Sequence, residues 1–144
     1  MRIVPLAPHL VKEVAEIERL SFSEPWSEEA YLEACAKDDY AYLVAVSDEG
    51  KVLGMCGLII GPYEAEVMNV AVHPEYRGLG ISNKLMEALL ELGTKKGVSE
   101  YTLEVRVGNQ AAIHLYEKYG FLGEGVRPNF YRKPTEDALI MWRR

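Results

Sequence analysis

Cysteine and histidine are scarce in this chain, with two of the first and three of the second among 144 residues. Cys35 and Cys56 stand among apolar neighbours with no histidine paired to them, which reads as two buried reduced thiols rather than a nucleophile. His9 at a helix start, His73 before Pro74 and His114 on the polar side of a helix show no metal-ligand spacing, so no metal is expected. Long apolar runs are also missing. No stretch approaches the roughly twenty residues that a membrane helix needs, and Met1-Arg-Ile-Val-Pro5 lacks the apolar segment of a secretion signal. The expected compartment is therefore the cytoplasm, with no membrane contact. Positive charge is in deficit, 16 Lys and Arg against 22 Asp and Glu, for a net charge of -6. A general nucleic-acid surface would need clustered cations, and none is expected here. An acidic surface does concentrate cations, an amine substrate among them, although solubility alone explains it equally well.

Hydrophobic residues make up 49% of the chain and charged residues 26%, proportions that predict one soluble domain over 1–144 with a core of its own. No internal repeat, low-complexity tract or linker interrupts it. The most informative stretch runs from Val67 through Met68, Asn69, Val70, Ala71 and Val72 to a Pro74 turn, then Arg77-Gly-Leu-Gly-Ile-Ser82, then a helix whose apolar face is Ile81, Leu85, Leu89 and Leu92. A β-branched run, a glycine loop and an amphipathic helix in direct succession leave free backbone N–H groups at a helix N-terminus. Gly78 and Gly80 remove the side chains that would keep an anion away, so the loop suits phosphate. Glycine in a β-to-α connection can also serve only to turn tightly. Neither G-x-x-x-x-G-K-[ST] nor the dinucleotide-binding G-x-G-x-x-G context is present.

The rest of the chain predicts an α+β fold. A short edge strand over 1–6 precedes a helix with Leu10, Val14, Ile17 and Leu20 on its apolar face. Ser27 caps a second helix carrying Tyr31, Leu32 and Cys35, and the loop between the two exposes Phe22 and Trp26. Strands over 40–46 and 51–60 join through Ser47-Asp-Glu-Gly50, a good hairpin turn. A third antiparallel strand leads into the glycine loop. The next helix ends near Lys95-Lys-Gly97, and the strand over 100–107 completes a β-α-β unit with parallel strands. Asn109 caps a fourth helix carrying Ala112, Leu115, Tyr116 and Tyr119. Strands over 121–126 and 137–142 close the sheet as a hairpin around a loop from Arg127 to Pro134. The total is a mixed, mostly antiparallel sheet of about seven strands with four helices.

Arg77-Gly-Leu-Gly-Ile-Ser82 resembles the acetyl-CoA loop of the GNAT superfamily of N-acetyltransferases, with Ser82 standing where that pattern has glycine or alanine. The element order is similar to the GNAT fold along essentially the whole chain. Seven further stretches in order, Phe22-Ser-Glu-Pro-Trp-Ser27, Asn69-Val-Ala-Val72, Leu103-Glu-Val-Arg106, Asn109-Gln-Ala-Ala112, Leu115 to Phe121, Arg127-Pro-Asn-Phe-Tyr131 and Glu136 to Met141, resemble the RimI-type ribosomal-protein alanine N-acetyltransferases.

That resemblance implies acetyl-CoA as co-substrate and a protein N-terminus, from a small-subunit ribosomal protein beginning with alanine, as acceptor. It implies backbone contacts to pantetheine from Val70, Ala71 and Val72, provided the fourth and fifth strands splay apart. It also implies pyrophosphate contacts from Arg77, Gly78, Leu79, Gly80, Ile81, Ser82 and Asn83, and a pantetheine contact from Asn109 beside its capping role. Glu104 alternates with Leu103 and Val105; strand geometry alone makes it a solvent-facing or cleft carboxylate, and the resemblance makes it the proton acceptor. Tyr116 reads from its helix face as a core aromatic, and by resemblance as the general acid, with Tyr119 the core residue beside it. Phe22 and Trp26 on one side and Tyr131 on the other would wall the acceptor slot. The chain is expected to act as a monomer or weak dimer. Two other readings stay open, the same chemistry on a lysine, polyamine or other small amine, and a non-catalytic CoA-binding regulatory domain.

Overall fold

A computed structural model describes all of residues 1–144. The chain runs through β1 (Arg2–Pro5), a 3-10 turn at Pro8–Leu10, α1 (Val11–Ser21), α2 (Glu28–Ala36), β2 (Tyr40–Val46), β3 (Val52–Ile60) and β4 (Glu64–Val72). It continues through a 3-10 turn at Pro74–Tyr76, α3 (Ile81–Lys95), β5 (Glu100–Arg106), α4 (Gln110–Lys118), β6 (Leu122–Tyr131) and β7 (Glu136–Arg143). The seven strands form one sheet in the order β1-β2-β3-β4-β5-β7-β6. Every pairing is antiparallel except β4 with β5.

Strand alternation sorts the core into two layers, because successive side chains leave a strand on opposite faces. In β2, Leu43 and Ala45 point to the face covered by α3 and α4, where they join Ile81, Leu85, Leu89, Leu103, Tyr116 and Met141. Tyr42, Val44 and Val46 point to the other face, against Val11, Val14, Ile17 and Tyr31 of α1 and α2. Ser27 caps α2 by accepting from Ala30 N at 3.1 Å, and Asn109 caps α4 by accepting from Ala112 N at 3.2 Å. α3 ends at Lys95, and Gly97 takes the left-handed conformation at φ +83°.

The parallel pairing of β4 with β5 is short, and this shapes the site. It spans only Glu64, Ala65 and Glu66 against Glu100, Tyr101 and Thr102. Beyond it β4 stays with β3 and β5 stays with β7, so the two strands diverge and leave a gap in mid-sheet. A bulge accompanies the divergence. The β3–β4 register shifts between Met55 and Gly57, and Asn69 adopts φ +52°, a conformation that asparagine tolerates better than most residues.

The structure corrects the sequence reading at several points. β6 continues through Arg127 to Tyr131, where a loop is expected, and Phe121 lies before the strand, fully buried. Pro128 can sit in β6 because β6 is the outer strand, and a register shift between Arg127 and Tyr131 absorbs the residues that cannot pair. Leu20 and Leu32 are exposed rather than packed, and the buried place on α1 that periodicity would give to an apolar residue belongs to Glu18. Cys35 is only half buried, whereas Cys56 is buried as expected. Tyr119 is no simple core residue. Its hydroxyl lies 3.0 Å from Glu87 Oε2 and 3.1 Å from Asn83 Oδ1, joining α4 to α3 through polar contacts.

Candidate active site

The divergence of β4 from β5 opens a cavity of about 400 Å³ between the end of β4, the glycine loop and α4. Phe22, Val70, Ala71, Val72, Arg77, Gly78, Gly80, Ile81, Ser82, Asn109 and Tyr116 all line it, together with Ser21, Tyr76, Ala111, Ala112 and Leu115. Gly78 and Gly80 both sit at φ +79°, and no protein atom lies within 4 Å of the place a Cβ would take. Backbone angle, not crowding, demands glycine there. Gly80 also occupies the N-cap of α3 without supplying a side-chain acceptor. The first amides of this fifteen-residue helix therefore remain free for an anion. Arg77 folds back so that its Nε donates to Val72 O at 3.2 Å, holding the guanidinium beside the loop. Leu79 stands out of the cavity, 69% exposed. Asn83 turns away as well, accepting from Lys118 Nζ at 2.9 Å and bracing α4 against α3.

Beyond the gap, β5 presents a polar row. Tyr101, Leu103 and Val105 are buried toward α3, and the intervening Thr102, Glu104 and Arg106 face the opposite side. Glu104 Oε2 lies 3.2 Å from Arg127 Nη1, yet it is buried and accepts no hydrogen bond. The only other buried side-chain atom without a partner is Ser21 Oγ, in the wall of the cavity. Buried polar atoms are rarely left without a hydrogen bond; Ser21 belongs to the cavity wall, and Glu104 stands outside that lining, two residues past the last β4–β5 pair. Residues and backbone here fit an extended acyl carrier with a pyrophosphate, lying along the free edge of β4 between the glycine loop and α4.

Tyr116 is buried, its ring 5.9 Å from that of Phe121. Its hydroxyl lacks the protein acceptors that engage Tyr31, Tyr101 and Tyr119. Burial raises its pKa, with the Tyr131 phenol adding to the effect. Tyr131 is pushed up to about 12 by burial and by the charge of Glu104, with the Arg106 guanidinium opposing.

Several residues of the site escape a reading by motif. Glu66 of β4 lies next to Thr102 in the parallel register, and Ala65 and Val67 point the other way into the core. Glu66 therefore shares the face of Glu104. Its pKa is raised by burial and by repulsion from Glu104, with Arg127 opposing. Glu18 accepts from Tyr31 Oη, from Asn69 Nδ2 at 3.1 Å and from Trp26 N at 3.0 Å. Tyr42 Oη donates to the other end of Asn69 at 2.7 Å. One buried carboxylate thus ties the α1–α2 loop to the bulge of β4. Trp26 packs its ring 5.2 Å from Tyr31 and 5.8 Å from Tyr42, inside this cluster. The period-two rule could have put Arg106 beside Glu104 from sequence. Nothing local announced Glu18.

A model of the acetyltransferase (GNAT) family matches residues 11–121. The chain belongs to the GNAT acetyltransferase family. Among its relatives, the ribosomal protein bS18-alanine N-acetyltransferase of Escherichia coli K12 is 36% identical over 130 residues, covering 87% of this chain and 84% of that protein. The N-alpha-acetyltransferase RimI of Mycobacterium tuberculosis is 36% identical over 135 residues, covering 90% and 83%. The crystal structure of the E. coli ribosomal-protein-S18-alanine N-acetyltransferase superposes with a TM-score of 0.90 at 32% identity, over 99% of this chain and 92% of that one. Ard1 from Thermoplasma volcanium superposes with a TM-score of 0.87 at 28% identity, over 99% and 95%. As a GNAT protein of RimI type, the chain is an N-acetyltransferase, and its seven-stranded mixed sheet with four helices is the GNAT fold.

Proposed function

We propose that this GNAT protein transfers an acetyl group from acetyl-CoA to the α-amine of a protein N-terminus, and that its acceptor is a ribosomal protein beginning with alanine. The relatives named for bS18 support the acceptor. The observation that carries the chemistry is Glu104, two residues past the last β4–β5 pair, with a buried Oε2 that lies 3.2 Å from Arg127 Nη1 and accepts no hydrogen bond. Acetyl-CoA supplies an activated thioester carbonyl. The free amides at the N-terminus of α3 and the glycine loop would hold its pyrophosphate, and Val70, Ala71 and Val72 would pair with the pantetheine arm as an added strand.

Glu104 takes the proton that the attacking amine loses as its C–N bond forms, directly or through one water. Tyr116, held neutral by burial, donates a hydrogen bond to the sulfur as the C–S bond breaks. The thiolate of a thiol with pKa about 8.5 needs little more than that to leave. Glu66 and Glu104 together draw an ammonium into the slot. A ribosomal acceptor places the reaction in the cytoplasm.

The α-amine suits so light a catalytic apparatus. Its pKa of about 7.7 to 8.0 leaves part of it neutral at pH 7, whereas a lysine pKa higher by roughly 2.5 units costs about 3.4 kcal/mol more in deprotonation. Two carboxylates also suit a polyamine, so the test compares acceptors directly. With acetyl-CoA, a peptide beginning with alanine should be acetylated well, and the same peptide with a blocked N-terminus and an internal lysine poorly. Preference for the lysine peptide or for spermidine would refute the N-terminal assignment and leave the acetyltransferase reading standing.

A further inference from the structure

The face of the sheet that carries Glu104 gathers charge from three strands. Glu66 of β4 stands beside Thr102 on that face. Arg106 of β5 pairs with Ala138 of β7, and Ala138 with Arg127 of β6, so Arg127 shares the face two strands away from Glu104. Its side chain reaches back over β7 and sets Nη1 3.2 Å from Glu104 Oε2. That approach is a contact of charges alone, because the oxygen accepts no hydrogen bond. The guanidinium is loosely kept as well: the Arg127 side chain is 55% exposed, and its Cζ lies 5.2 Å from the centroid of the exposed Phe130 ring. Arg106 is engaged elsewhere, with Nη1 3.1 Å from Glu136 Oε1. Glu66 forms no ion pair. Burial and repulsion from Glu104 raise its pKa, and Arg127 opposes them. Two carboxylates therefore share one half-exposed guanidinium.

We infer that Arg127 is a placeholder cation for the acceptor amine: it rests on Glu104 in the free enzyme, yields that carboxylate to an incoming ammonium, and limits how much positive charge the slot draws in. The inference rests on the amine-acetylating reading above and deepens it. A guanidinium against Glu104 favours the charged carboxylate over the protonated one, so Glu104 is a poor proton acceptor until Arg127 moves off. The acceptor arrives as an ammonium that competes for the same oxygen. Exchange is cheap, since an ion pair this exposed shifts an equilibrium by no more than about fivefold. The guanidinium keeps its place against the Phe130 ring as it leaves. It stays close enough there to repel a second positive charge, so a single ammonium is admitted more readily than a polycation. Arg127 touches neither the bond that forms nor the bond that breaks; it sets which amines reach Glu104.

The test measures kcat and KM for an N-terminal alanine peptide and for spermidine at saturating acetyl-CoA, using wild type, Arg127→Gln, Arg127→Lys, Glu66→Gln and the double variant Arg127→Gln with Glu66→Gln. Arg127→Gln should lower KM for the alanine peptide by about two- to fivefold and KM for spermidine by more. The spermidine-to-alanine ratio of kcat/KM therefore rises, and added salt should shrink the rise. Arg127→Lys keeps the charge and should stay near wild type. Glu66→Gln should lower the ratio, and the double variant, with the wild-type net charge, should return it. KM for acetyl-CoA should not move. A higher KM for the alanine peptide in Arg127→Gln would mean that Arg127 holds the acceptor directly, and overturns the placeholder. So does Arg127→Lys behaving like Arg127→Gln, which would make shape and not charge the cause. If Arg127→Gln fails to fold, Glu66→Gln decides, and an unchanged ratio there overturns the inference. A wild type that acetylates no amine refutes the reading above and the placeholder with it, whereas an active wild type with an unmoved ratio in Arg127→Gln refutes the placeholder alone.

Discussion

Two side chains carry the proposed chemistry, and their surroundings set different expectations for them. Glu104 has one buried oxygen that accepts no hydrogen bond and lies 3.2 Å from Arg127 Nη1, so Glu104→Gln removes a proton acceptor while keeping size. Turnover should fall by about 10² to 10³ with acetyl-CoA affinity nearly unchanged, as steady-state kinetics and calorimetry would show. Tyr116→Phe removes only the donor to a fair leaving group and should cost less than about 10². Equal turnover in both variants and wild type would return the two residues to packing roles. The pH dependence follows from the same environments. The rate on an alanine peptide should rise through the amine's own pKa, at about 7.7 to 8.0. No alkaline decline from Tyr116 should follow by pH 9.5, because burial raises that phenol above its ordinary value near 10. A bell with a falling limb below pH 9 would contradict this.

At the scale of elements, the bulge in β4 and the loop after α1 are one unit, because Glu18 binds both. Its carboxylate accepts from Trp26 N, Tyr31 Oη and Asn69 Nδ2, and burial together with the Glu18 charge raises the Tyr31 pKa, keeping that donor protonated. Glu18→Ala would leave these donors buried without an acceptor, at a cost of about 3 kcal/mol. Urea unfolding should show that loss, and KM for acetyl-CoA should rise with it, since Asn69 sets the course of β4 beside the cavity. Loss of stability with unchanged KM would separate the network from the site. Alternation and capping made most of the elements legible in sequence. The strand from Arg127 to Tyr131 was not, because Pro128 argues against a strand until β6 is known to be the outer one. Leu20 and Leu32 misled for a related reason. Helical periodicity marks an apolar stripe, but only a packed neighbour decides where the stripe ends, and on α1 a buried glutamate takes part of it.

For the whole molecule, the sheet acts as a partition with a gap. α3 and α4 lie toward one face and α1 and α2 toward the other, and the cavity beside the glycine loop is lined from both, by Ile81 and Tyr116 on one side and Ser21 and Phe22 on the other. A ligand spanning that gap ties both layers together, so acetyl-CoA should raise the melting temperature in a saturable way, following its concentration relative to Kd, while adenosine alone should not. Gly80→Val should weaken the shift, since φ +79° is strained for a β-branched residue. A shift of equal size with adenosine would place the binding elsewhere. The sequence alone determined what local chemistry specifies, the glycine loop leading into an amphipathic helix, the caps at Ser27 and Asn109 and the alternating row around Glu104, and the resemblance of its motifs gave the GNAT family. Only the tertiary structure decided how that row is used. The length of the β4–β5 pairing depends on a bulge opposite β3, the placement of β7 between β5 and β6 brings Arg127 against Glu104, and the burial of Glu18 and the reach of Arg106 join residues separated by as many as 109 positions. Such contacts arise from the packing of layers, and spacing along the chain carries no record of them.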